Sequence, residues 1–274
     1  MASVAENLGF NERRPDLLSG TPRAHALDRW IFVFMAAWFI AIVLAGFIPS
    51  SLMKIDLVRS GARPPFPLIM HVHAALMGSF LLLLLAQSWL MATGRTAYHM
   101  RLGLLSMVLA PAIVIVGLIL APTIYHEILD SLQTAPPEAR EGIQSRLSQS
   151  ENVKLIQIRV GILFPLFLAI GLSARGRNAG LHKRMMFLAT AVTLPAGIDR
   201  IPWLPHSLPT SAVSADLYTL LAVSPMFVWD VIRNRSVHSA YVIWLAIFVP
   251  FAIAVHGLWD TPWWHATART LMGV

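Results

Sequence analysis

The chain has 274 residues, of which 56% are hydrophobic and 13% charged, against about 25% charged in an average soluble domain. With a mean hydropathy of +0.64, that composition excludes a water-soluble enzyme, which has no way to hide so much apolar surface. The absence of cysteine excludes disulfides, Cys-ligated zinc, Cys-bound iron–sulfur clusters and thiolate catalysis, and the net charge of +7 fits cytoplasmic loops and anionic lipid headgroups rather than nucleic acid.

Spanning a bilayer takes about 20 mostly apolar residues, and seven stretches approach this. In chain order they are 30–49, 67–93, 102–121, 155–172, 185–198, 212–232 and 239–257. The first is uncharged throughout. The second carries only His71 and His73, and the fourth is broken by Arg159. The fifth is short, so its helix draws in Leu181 and the snorkelling Lys183 and Arg184. The sixth has Asp216 and Asp230 near its ends. Prolines 111, 165, 195, 225 and 250 fall inside helices, each freeing a carbonyl and permitting a kink.

The expected fold is therefore all-α, a polytopic membrane protein of about seven transmembrane helices. Residues 1–29 read as a cytoplasmic polar tail, since they lack the apolar core and cleavage site of a signal peptide. Residues 30–274 read as one transmembrane helical domain. Its extramembrane loop, 122–154, holds five of the 14 acids and one or two short helices on the outer face. The densest Lys/Arg cluster, Arg175, Arg177, Lys183 and Arg184, marks the inner side and gives an N-in, C-out orientation.

Two segments echo each other. Gly94-Arg95 precedes His99 and Arg101, with Pro111 beyond; Gly176-Arg177 precedes His182 and Arg184, with Pro195 beyond. A duplicated two-helix unit places His99 and His182 at one depth on the inner side. Two histidines at matching depth on different helices meet the requirement for axial ligation of haem, with Arg101 and Arg184 placed to pair with propionates. The bland alternative has both histidines solvated and both arginines on lipid phosphates.

A second candidate site lies at the outer depth, where His71 or His73 joins His256 around a metal, with Arg159 nearby. His71 and His73 point about 200° apart, so one helix does not aim both at one ion. Arg159, well inside an apolar run, needs a partner. An ion pair with Asp199 supplies one structurally; an anionic substrate or propionate supplies one functionally.

The segment LHKRMMFLATAV (181–192) resembles the helix start of small bacterial multi-pass membrane proteins of unknown function, one branch of which is implicated in cytochrome oxidase assembly. HVHAALMGSF (71–80) is similar to the His-rich opening helix of bacterial haem- and copper-containing membrane proteins of the nitric-oxide response, a group with more membrane helices than this chain. These resemblances imply a bacterial inner-membrane protein carrying haem b or a transition metal. Three functions are compatible with the residues: haem or metal binding in electron transfer or respiratory oxidase assembly, transport or lipid/anion binding, and an accessory role in a larger respiratory or other membrane complex. Nothing points to a nucleic-acid partner. A retinal Schiff base is excluded, because 239–257 has no lysine.

Overall fold

The computed structural model of the chain describes residues 16–274, and among these all regular structure is helical. Among the described residues there are ten helices: α1 (Ala26–Arg59), α2 (Leu68–Ala92), α3 (Thr96–Gly103), α4 (Ser106–Thr134), α5 (Pro137–Ala174), α6 (Ala179–Ala191), α7 (Pro195–Ile198), α8 (Val213–Asn234), α9 (Ser239–Leu258) and α10 (Pro262–Met272). Six spans are long and apolar enough to cross a membrane: α1, α2, α3 with α4, α5, α8 and α9. The chain is an integral membrane protein. Leu82, Val108, Leu118 and Ile253 lie mid-span with more than 60% of their surface exposed, which suits lipid rather than water.

The fifth apolar stretch is broken rather than merely kinked at Pro195. It forms α6, a turn at 192–194, and the four residues of α7. Pro195 lacks an N–H and its ring crowds the carbonyl four residues back, so the ladder breaks there. The broken helix nevertheless runs from one end of the bundle to the other. Lys183 at its start pairs with Asp16, while Gly197 at its finish meets Gly46, deep in α1. It is the most enclosed element: Met185, Leu188, Ala189, Ala191 and Leu194 are wholly buried. No polar face is needed in such a position, which is why it reads as short and indistinct in sequence.

A Cβ on Gly46 would come within 1.9 Å of the Gly197 carbonyl. Small residues let the two backbones approach closely, and in lipid that close packing replaces the hydrophobic drive.

The near end of the bundle carries Asp16, the end of α2, the α5–α6 turn and the α8–α9 turn; the far end carries α10. The described N-terminal residues and the C-terminal helix thus lie at opposite ends. Part of the proposed tail is not free. Leu18 is wholly buried, and Asp16 pairs with Lys183 and Arg184; residues 1–15 lie outside the described residues.

The segment 122–154 differs from the expected loop. Here α4 and α5 simply continue, joined at Ala135–Pro136, with Pro137 at the N1 position where its missing N–H costs nothing. At 29 and 38 residues, roughly 44 and 57 Å, both outrun a hydrocarbon core of about 30 Å. They project beyond the bundle as a hairpin, and α10 packs against it.

Candidate functional site

The helix starts at the near end place the two echo histidines. Asn178 caps α6 by accepting from Leu181 N, which sets His182 in the first turn. Gly94, in the left-handed region at φ 75°, ends α2 and lets α3 begin beside it with His99. The two imidazole centroids are 6.5 Å apart and their planes stand at 83°.

Both rings are held in the same manner. His99 Nδ1 lies 3.3 Å from the carbonyl of Gln87, twelve residues earlier on α2, and His182 Nδ1 lies 2.8 Å from the carbonyl of Gly171, eleven residues earlier on α5. A carbonyl only accepts, so Nδ1 carries the proton in each ring and the Nε2 lone pair is left available. The echo in sequence therefore corresponds to two matching hairpins: α2 with α3–α4, and α5 with α6–α7.

The two arginines of the echo part company. Arg101 is exposed and lines an open groove with Leu90, Arg95, Tyr98, Leu102 and Leu105. Arg184 is wholly buried. Its Nε and Nη2 donate to Asp230, the latter at 2.8 Å; Nη1 and Nη2 donate to Asp16 at 2.8 and 3.0 Å; Nη1 also donates to the Gly180 carbonyl at 3.0 Å. Asp230 also accepts from Tyr241 at 2.9 Å and Asn234 at 2.6 Å. Arg184 thus has no donor left for a propionate, which corrects its assignment as a cofactor contact. Burial pushes the Asp16 carboxyl up, but Arg184 and Lys183 outweigh it and hold it well below the carboxylate range. His238, which caps α9, is driven down to about 4 by burial and by Arg184, so it stays neutral.

The far-end candidates are not brought together as expected. His71 is exposed and sets its ring edge-on to Phe66; His73 is half-buried and faces Gly117 of α4, with Nδ1 unpartnered. His256 instead places Nε2 2.9 Å from Asp216 Oδ2. The separation follows from packing: α2 lies against α1, α3 and α4, whereas α9 lies against α5, α6 and α8. Arg159, 3% exposed, pairs with Asp216 of α8 at 2.6 Å and stacks over Phe248 at 5.0 Å. Its carboxylate is therefore Asp216, not the expected Asp199.

Sequence reasoning missed a further hub. Glu151, wholly buried where α10 meets the hairpin, accepts from Tyr125 at 2.9 Å and Arg269 at 2.9 Å, while His265 Nδ1 lies 2.6 Å from its other oxygen. His265 Nε2 faces Asp260 at 3.0 Å. The two carboxylates take opposite ring nitrogens and so do not converge on one point. Among the described residues no three His, Asp or Glu side chains are gathered to hold a metal ion. The only sequence signal for Glu151 was an acid at the border between a polar segment and an apolar run.

Comparison with family models, with characterised proteins and with solved structures finds no match to the chain.

Proposed function

We propose that the chain is a haem- or metal-binding protein of the bacterial inner membrane, with N-in and C-out orientation, acting in electron transfer or respiratory oxidase assembly. The observation that supports this is the His99–His182 pair. Each imidazole is oriented through Nδ1 by a carbonyl of the preceding helix, an outer-shell contact typical of metal-bound histidine. Two metal–nitrogen bonds of about 2 Å plus the radii of two rings put imidazole centroids on one ion roughly 6 Å apart; here they are 6.5 Å apart.

Two ligands are too few for a zinc site, which takes four. They suffice for haem, whose porphyrin supplies the equatorial nitrogens. Haem b is thus the better match to the residues, and it supplies one-electron chemistry when bound. His99 and His182 would hold it, and exposed Arg101 is available to a propionate.

The test is a visible spectrum and metal analysis of the purified protein, with His99→Ala and His182→Ala beside it and melting temperature as the folding control. The expected result is a Soret band, lost in both folded variants. A protein with neither Soret band nor bound metal overturns the reading and favours a transporter or an accessory subunit; binding unchanged by His182→Ala overturns the His99–His182 site and leaves His71, His73 and His256 as candidates.

A further inference from the structure

The far end holds a polar cluster that the His99–His182 site does not use. Arg159 reaches it from α5, Asp216 from α8 and His256 from α9; Asp199, just after α7, lies near enough to Asp216 and His206 to feel their charge. Arg159 and Asp216 cancel in charge. Three buried atoms here lack hydrogen-bond partners: Nη1 of Arg159, in a side chain 3% exposed, Oδ1 of Asp199, and Oδ1 of Asp216, which has only its ion pair with Arg159 Nη2 at 2.6 Å.

Neighbouring cations do not pair with Asp199. Arg200 donates to the Ala196 carbonyl and lies over Phe47 at 4.8 Å. Lys54 of α1 stands near Arg200 rather than near the carboxyl. The buried part thus contains one cation and two carboxylates. An anion there would add a second uncompensated charge in a low-dielectric setting, whereas a proton removes the one that exists. This argues against Arg159 as the seat of an anionic substrate. His206, with Nε2 3.0 Å from the Ile201 carbonyl, is exposed and also close enough to act on the charge of Asp199.

We propose that this cluster is a proton-binding site in which Asp199 is the proton-carrying carboxyl, His206 its exchange group toward water, and Arg159 the cation already paired with Asp216. The proton comes from water at the far end and returns there. The carboxylate becomes a neutral acid, and no electron moves. Burial accords with this, holding the Asp199 carboxyl up at about 6, aided by Asp216 and opposed by His206 and Arg200. The inference stands independently of haem or metal at the near end.

Infrared spectra of the full chain in lipid nanodiscs, recorded from about pH 4.5 to about pH 8, read the protonated-carboxyl C=O stretch across the range where a buried aspartic acid titrates. The expected result is a band that fades as pH rises through about 6, vanishes in Asp199→Asn and shifts in frequency in Asp199→Glu. The melting temperature of Asp199→Asn should equal the native value at the acid end and exceed it at the alkaline end, because only the ionised form strains the fold. A band that survives Asp199→Asn, no carboxyl titrating in this range, or a pH-independent difference in melting temperature overturns the proposal.

Discussion

Replacing Arg184 with methionine removes the hub of the near end, and the structure sets the scale of the loss. Arg184 makes five hydrogen bonds, four of them to carboxylates. Counting each charge-assisted bond at about 1.5–3 kcal/mol would exceed much of a domain's net stability, because it ignores the desolvation already spent on burying the ions. Truncating one partner of a buried pair costs about 3–5 kcal/mol, chiefly because the other charge is stranded. Asp230, wholly buried, is the stranded group here; Asp16 keeps Lys183. At about 2–4 °C per kcal/mol for a chain of this size, thermal unfolding in detergent should fall by roughly 10 °C. Arg184→Lys keeps a charge but loses the planar fork, and should lose about half as much. The decisive comparison is the double variant Arg184→Met with Asp230→Asn. It should be more stable than Arg184→Met alone, since the stranded carboxylate is gone. If the two losses simply add, or if Arg184→Met melts with the native protein, the hub does not work as described.

Three other outcomes follow from particular contacts. Gly46→Ala drives a Cβ into the Gly197 carbonyl at 1.9 Å, so α1 and α7 must part; the cost should reach about 3 kcal/mol, seen as a lower melting temperature, whereas Gly78→Ala, with nothing within 4 Å, should be nearly silent. Glu151→Gln takes the charge from Arg269 and His265, so amides of α10 should exchange about tenfold or more faster while those of α6 stay protected, read by hydrogen–deuterium exchange. The Asp16 carboxyl is held below its ordinary value of 3.8, so its contribution is complete above that pH and disappears as pH falls through the lowered folded value. The melting-temperature gap between native protein and Asp16→Asn should therefore be widest at neutral pH and close only under strong acid; a gap that widens in acid reverses the sign.

The membrane-spanning helices were legible because hydropathy and length are properties of the chain itself. Six of the seven apolar stretches correspond to long helical spans, three of which run ten residues or more past the expected bounds. The remaining one, 185–198, breaks fully at Pro195, where the sequence indicates only a kink. The polar stretch at 122–154 reads in sequence as a loop with one or two short helices, whereas the two spanning helices continue through it. A helix that leaves the membrane keeps its backbone ladder and changes only its side chains.

The paired depth of His99 and His182 was also written in the sequence, as a repeated order of Gly-Arg, His and Pro at spacings that differ by one residue. Whether the two rings would meet was not, because spacing fixes position along a helix and says nothing of which helices are neighbours. For the same reason Arg184 looked equivalent to Arg101, and Arg159 looked equally suited to Asp199 or to a ligand. Their partners Asp230 and Asp216 lie 46 and 57 residues away, on α8. A buried charge must be matched in space, and which carboxylate reaches it depends on how the six spanning helices close around α6. Sequence stated the need for a counter-charge; only the packing of the bundle chose it.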